Sequence, residues 1–212
     1  MGLDLKETTD KMRRHFDAQE ELRERMLELS REVIRSSSRT IAAMHREDPV
    51  TVRKALSQAS SALASLVRAA KGDPAWMDSG IVQSAYQEYC EARLVQALLK
   101  QGKLPRPEEL KVPYKAYLGG LADAAGELRR YVLDSIRADR VDAAERTLRQ
   151  MEDIYELLMS FDYPDAILPG MRRRQDMVRG VLEKTRGDLT TALRQRKLES
   201  ALERYQRMKV NK

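Results

Sequence analysis

The chain has 212 residues, 42% hydrophobic and 34% charged, and 39 Lys and Arg against 33 Asp and Glu give a formal charge of +6. One Cys and two His exclude a disulfide framework, a cysteine zinc cluster and a multi-histidine metal site within one chain. Two Phe, one Trp, 10 Gly and seven Pro are too few aromatic and turn residues for a sheet protein. The abundant Ala, Leu, Arg, Glu and Met lose least on entering a helix.

Apolar residues recur at helical spacing along nearly the whole chain. The first helix is expected from about Thr9 to Arg46, with a stripe of Met12, Phe16, Leu22, Met26, Leu29, Val33 and Thr40. Glu47-Asp48-Pro49 ends it, because the residue before proline avoids the α region. A helix of that length spans about 55 Å, too long to be covered by one small bundle, so a subunit interface is expected along it. A second helix follows from about Val50 to Ala70, broken by Lys71-Gly72-Asp73-Pro74. A third runs from about Trp76 or Ser79 to Lys100 and stops at Gln101-Gly102. The three-proline stretch GKLPRPEELKVP reads as a loop. Further helices are expected from Tyr114 to Ala138 and from Val141 to Phe161, before a turn at Asp162-Tyr163-Pro164-Asp165. The basic stretch from Pro169 to Met208 reads as one helix interrupted near Gly187, or as two. The expectation is an all-α chain, a single domain over residues 1–212. No apolar run approaches the ~20 residues of a membrane span, and the N-terminal segment has no leader-like apolar core. A cytoplasmic protein without a membrane partner is therefore expected.

Charge is distributed unevenly. Residues 168–212 carry 13 Lys and Arg and five Asp and Glu, a net of +8, so the remainder sums to −2. On the first helix Arg31, Arg35, Arg39 and Arg46 fall within about 80° of one another on a wheel of 100° per residue. They form either a solvated mixed-charge face or a track for phosphates, which arginine grips bidentately.

Two acidic pairs are candidates for chemistry. Glu88 and Glu91 are three apart in the third helix, and Asp123 and Glu127 are four apart in the next, so each pair shares a helical face. If a short connection makes the helices antiparallel neighbours, both pairs lie roughly 15 Å from the turn and can face each other. Four carboxylates so gathered need a counter-charge, and an oxygen-only set suits Mg2+ or Mn2+. The bland alternative is that the pairs are solvated, or neutralised by Arg93, Arg129 or Arg130. Cys90 reads as a small buried hydrophobe, and His15 and His45 as surface or interface residues.

At these residues the sequence resembles the translin superfamily, and within it the branch of translin-associated factor X (Trax), in prokaryotic and particularly archaeal form. The resemblance is carried by Gln87-Glu88-Tyr89-x-Glu91-Ala92 and by Tyr117-Leu118-Gly119-Gly120-Leu121-Ala122-Asp123-x-x-Gly126-Glu127-Leu128-x-Arg130. Leu29-Ser30-Arg31-Glu32-Val33, Ser38-Arg39-Thr40-Ile41, Arg172-Arg173-Arg174-Gln175-Asp176 and Glu183-Lys184-Thr185-Arg186-Gly187-Asp188-Leu189 extend it over nearly the whole chain. It implies an all-α fold of about seven helices, a translin-like helical bundle, assembled into hollow oligomers, often octamers, that bind single-stranded RNA or DNA. It also implies a Mg2+- or Mn2+-dependent endoribonuclease site at Glu88, Glu91, Asp123 and Glu127. Glu91 and Glu127 would be the firmest metal ligands, with Glu88 and Asp123 completing the set or positioning the attacking water. Arg31, Arg35 and Arg39, with Arg172, Arg173 and Arg174, would hold phosphates. The basic N-terminal extension of eukaryotic Trax is missing, so a homo-oligomer is expected. Two alternatives stand beside the nuclease: a translin-like binder of single-stranded nucleic acid without significant catalysis, and a helical oligomer with no nucleic-acid role.

Overall fold

The computed structural model describes residues 5–100 and 102–210; Gln101, read above as a helix stop, and the N-terminal tetrapeptide lie outside them. Among the described residues there are eight helices and no strand. By contact the chain separates into two compact units, residues 1–92 and 93–212. Among the described residues no helix is long and apolar enough to cross a membrane.

In the first unit, α1 (Lys6–His45) packs against α2 (Pro49–Ala70). At 40 residues α1 is about 60 Å long. Its buried positions include Met26, Ser30, Val33, Ser37 and Thr40, a 4-3-4-3 rhythm that keeps one face on the core. The hydroxyls on this face are partly absorbed by the helix itself: Thr40 Oγ1 donates to the Ser36 carbonyl at 2.7 Å. Towards the N-terminus the same face stays uncovered, with Met12 58% and Phe16 66% exposed. The α1–α2 turn places Glu47 in the left-handed region at φ 55°. Asp48 then caps α2, its Oδ1 accepting from the N–H groups of Val50 (3.1 Å) and Thr51 (3.0 Å). Pro49 sits at the first helical position, where no N–H is needed. The Ala- and Ser-rich α2 buries Ala55, Ala59 and Ala62, small side chains that allow close approach to α1, together with the larger Leu63 and Leu66. The one-turn α3 (Pro74–Met77) follows, with Trp76 Nε1 donating to Gln19 Oε1 at 3.1 Å. Next comes α4 (Gly80–Leu99), along which the boundary between the units falls.

In the second unit the three-proline stretch is not wholly a loop. It contains a one-turn α5 (Pro107–Leu110), held at its start by the Glu109 carboxylate, which accepts from the Arg106 backbone N–H at 2.8 Å, and ended by a left-handed Lys111. A turn this short has no apolar periodicity, which is why only its prolines show in the sequence. The remaining helices, α6 (Tyr114–Arg137), α7 (Val141–Met159) and α8 (Met171–Val210), pack against one another. Leu121, Leu128, Val132, Met151, Leu158 and Val178 are fully enclosed, each contributing about 1.5–3 kcal/mol relative to exposure. Gly187 does not interrupt α8: the helix is continuous over 40 residues, and a side chain there would meet nothing within 4 Å. One exposed glycine costs about 1 kcal/mol relative to Ala, which a helix packed over its first five turns tolerates.

Candidate functional site

The sequence around the first acidic pair alternates large apolar residues with the two carboxylates. Tyr86, Tyr89, Cys90 and Ala92 of α4 are buried, and burial raises the Tyr86 phenol above its ordinary value. Glu88 and Glu91 flank that buried face and are half-buried. The start of α4 is tied to α1 by Ser30, whose hydroxyl donates to the Ile81 carbonyl at 3.0 Å.

The second pair is set into α6 by a run of small residues. Leu118, Gly119, Gly120, Leu121, Ala122, Ala124, Ala125 and Leu128 are all buried. Asp123 and Glu127 punctuate this run one turn apart, both half-buried. All four predicted carboxylates are thus half-buried, whereas most other acidic side chains of the chain are exposed. The chemistry of both pairs is that of hard oxygen donors. Among the described residues, no group of three or more His, Cys, Asp or Glu side chains is gathered as a ready-made metal-ligand set.

The cations fall into two classes. Arg31 and Arg39 are exposed on α1. Between them Arg35, also exposed, donates from Nη2 to Glu32 Oε2 at 2.6 Å. Glu32 also accepts from Ser36 Oγ at 2.9 Å, and the Arg35 and Ser36 hydrogen bonds hold its carboxyl below the ordinary value. The charge of the middle arginine is therefore largely offset, a pairing that the wheel of basic residues alone does not reveal. At the start of α8, Arg172 lies 3.5 Å from Asp162 with both side chains highly exposed, and Arg173 is exposed. Arg174 turns the other way. Its Nη1 lies 3.4 Å from Asp123 Oδ1, so one predicted phosphate binder sits beside one predicted catalytic carboxylate. Arg129, a suspected partner of the acidic pairs, is committed elsewhere: it meets Asp188 at 2.8 Å and the Thr185 hydroxyl at 3.1 Å.

A groove of about 590 Å³ along α7, lined by Arg146, Arg149, Glu152, Asp153 and Glu156 among others, holds none of the predicted residues. No sequence signal marked it, because mixed charges on an exposed helix face are common. Its lining of both signs suits a polyanion poorly.

The comparisons with known proteins agree with this architecture. Residues 21–186 match the model of the Translin family. The chain is 36% identical over 187 residues to an uncharacterized protein of Methanocaldococcus jannaschii, covering 87% of this chain and 82% of that one. Among solved structures it is similar to AfC3PO, with a TM-score of 0.81, 32% identity and coverage of 89% of this chain and 98% of that one. It is likewise similar to AfC3PO in complex with duplex RNA, with a TM-score of 0.78, 30% identity and the same coverage. Apo-NeC3PO shares the fold, with a TM-score of 0.79 at 22% identity, over 91% of this chain and 98% of that one. The match over residues 21–186 takes in both acidic motifs and the predicted phosphate-binding arginines Arg31, Arg35, Arg39 and Arg172 to Arg174, and the chain belongs to the Translin family.

Proposed function

We propose that this chain is an RNA-binding, metal-dependent endoribonuclease of the Trax type that works as a closed homo-oligomer, an octamer by family analogy. The observation that carries the reading is the state of the four motif carboxylates. Glu88, Glu91, Asp123 and Glu127 are half-buried in a chain whose acidic residues mostly face water. Half-burying a carboxylate has a desolvation cost that an opposite charge offsets, and a divalent cation is one source of that charge. The donor set fits Mg2+ or Mn2+: it offers carboxylate oxygens alone, and Mg2+ is commonly held by one or two carboxylates plus waters and substrate phosphates. Glu91 and Glu127 would be the principal ligands, with Glu88 and Asp123 beside them. When bound, the cation supplies positive charge against the charge developing on a phosphoryl oxygen and makes a bound water acidic. The protein's own part would be to present these oxygens from α4 and α6 and to bind phosphates through its exposed arginines.

RNA enters through relatedness and charge. AfC3PO, 30% identical to this chain, has been solved with duplex RNA. Exposed Arg31, Arg39, Arg172 and Arg173 are suited to phosphates. Few aromatic residues argue against extensive base stacking, so recognition is electrostatic and weakly sequence-specific. Single-stranded RNA is the expected substrate, with single-stranded DNA and duplex RNA as the forms to compare against it.

A second reading, RNA binding without cleavage, is favoured by one observation: no ready-made set of three ligands is gathered among the described residues. A cleavage assay separates the two. Wild type should cut short RNA with Mg2+ or Mn2+ and not with EDTA. The Glu91→Gln, Glu127→Gln double variant should bind RNA without cutting it. Full cleavage by the purified double variant would remove the carboxylates from the reaction, and no cleavage by wild type with either metal would leave the binding reading.

A further inference from the structure

Arg174 stands apart from the two arginines that precede it. Arg172 and Arg173 are exposed, whereas Arg174 is half-buried. The first turn of α8 around it is firmly seated. Met171 is 2% exposed, and Gln175 Nε2 donates to the carbonyls of Leu158 (2.8 Å) and Phe161 (3.1 Å) at the end of α7. Gly170, left-handed at φ 72°, turns the chain into the helix, and its carbonyl accepts the Arg174 N–H at 3.2 Å. From this fixed start the Arg174 Nη1 lies 3.4 Å from Asp123 Oδ1 and 3.5 Å from the Gly119 carbonyl. Gly119 and Asp123 are one turn apart, so the guanidinium lies along α6 beside the first carboxylate of its acidic pair. Both side chains of the ion pair are 29% exposed, sheltered enough for the charge to be felt and wet enough for it to be released.

A guanidinium and a divalent cation cannot share one carboxylate oxygen at full strength, since each is repelled by the other. We propose that Arg174 is the resident counter-ion of Asp123: a positioning residue that holds the carboxylate oriented before metal arrives, and that lowers metal affinity by competing for it. The inference rests on Asp123 being a metal ligand. It gives the arginine a regulatory part in the same site, because the metal displaces a guanidinium that then becomes available to a phosphate, the anion its fork fits.

The test is calorimetric titration of Mn2+ alone into the full-length protein. Arg174→Gln removes the charge but keeps a donor for the Gly119 carbonyl; Arg174→Lys keeps the charge; Asp123→Asn removes the ligand. Arg174→Ala replaces the Gln variant if that one lacks a cooperative unfolding transition. The expected result is that the neutral variant binds Mn2+ roughly tenfold more tightly than wild type, that the Lys variant stays close to wild type, and that Asp123→Asn loses binding. A merely structural arginine would not tighten metal binding when removed. Unchanged or weaker binding by the neutral variant, with binding lost in Asp123→Asn, overturns the counter-ion proposal and leaves the metal reading standing. Wild-type-like binding by Asp123→Asn overturns the counter-ion proposal and leaves the metal to Glu91 and Glu127, whereas no binding by wild type overturns the metal reading and the counter-ion with it.

Discussion

Arg129 and Asp188 close a 2.8 Å ion pair between α6 and α8, and the same guanidinium donates to the Thr185 hydroxyl one turn earlier. Arg129 lies two residues after Glu127, on a different face of α6, so its charge serves packing and leaves the acidic pair to other partners. With its side chain only 26% exposed, truncating it removes both polar contacts and part of the helix contact. Arg129→Ala should therefore cost about 1 kcal/mol, which for a chain of this size is a fall of roughly 2–4 °C in Tm. Thermal unfolding followed by circular dichroism checks this; an unchanged Tm would make the pair a contact without energetic weight.

The α1 arginines should not contribute equally to RNA binding. Arg31 and Arg39 are exposed with no carboxylate partner among the described residues, whereas Arg35 is held by Glu32 at 2.6 Å. A phosphate must compete with Glu32 for Arg35, so that contact returns less. Arg31→Ala or Arg39→Ala should each weaken RNA binding more than Arg35→Ala. Each should also reduce the salt slope by about 0.7–0.9 per lost phosphate contact. Glu32→Gln should strengthen binding by freeing Arg35. Measuring affinity at several salt concentrations for the four variants decides it; equal losses at all three arginines would mean that Glu32 does not compete.

The long helices were legible because their apolar rhythm is sustained, and the carboxylate motifs because spacing alone puts each pair on one face. What escaped the sequence is pairing. Nothing in the string says that Arg174 lies beside Asp123, since the contact joins residues 51 apart; Glu32 and Arg35, three apart on α1, do carry a spacing signal, which a wheel of basic residues alone hides. The one-turn α3 and α5 escaped for the opposite reason: four residues are too few for any period. Gly187 misled because a glycine signals a break only where the backbone must leave the helix, and there it does not.

Asp48 ties the α1–α2 turn to acid stability. Its carboxylate accepts from the Thr51 side chain and backbone and from the Val50 N–H, and these hydrogen bonds, Thr51 foremost, hold its pKa below the ordinary 3.8. A depressed carboxyl contributes stability that is present above the unfolded value and is lost as pH falls through the folded one. The contribution should be constant at neutral pH and fade below about pH 4. Asp48→Asn keeps a capping oxygen without a titrating proton, so its Tm should fall less than that of wild type between pH 5 and 3, taken as approximate bounds of the window. Asp48→Ala should lower Tm at neutral pH. A parallel acid response in wild type and Asp48→Asn would show that the cap is not a source of pH dependence.

Divalent cation should stabilise the folded chain. A ligand that binds only the folded state adds RT ln(1 + [L]/Kd), about 2.7 kcal/mol at a hundredfold excess over Kd. Mg2+ or Mn2+ should raise Tm by several degrees, EDTA should reverse the rise, and Glu127→Gln should shrink it. Ca2+ serves as a control for nonspecific screening. A rise of equal size in the Glu91→Gln, Glu127→Gln double variant would place the stabilising ion elsewhere.

The last prediction concerns assembly. On α1 the core-facing stripe continues past Leu22 to Phe16 and Met12, which no described residue covers. On α8 the pattern differs. Met171, Val178, Leu182, Thr185 and Leu189 are buried, whereas Leu198, Leu202, Tyr205 and Met208 are 52–64% exposed. At 100° per residue the exposed group lies nearly opposite the buried one. The last turns of α8 therefore do not extend the face that packs on α6 and α7; they present a second apolar face. Two such stripes on one chain, each near the end of a 40-residue helix, exceed what scattered surface apolar residues require, and a closed symmetric assembly buries both. Light scattering at micromolar concentration should give a mass well above that of a dimer. Phe16→Glu and a Leu198→Glu, Leu202→Glu pair should each reduce that mass while circular dichroism still reports a helical chain. The two sets should also differ in product if the stripes make different contacts. A monomeric mass for wild type would sink the assembly, and an unchanged mass in both variants would move the interface off these helices.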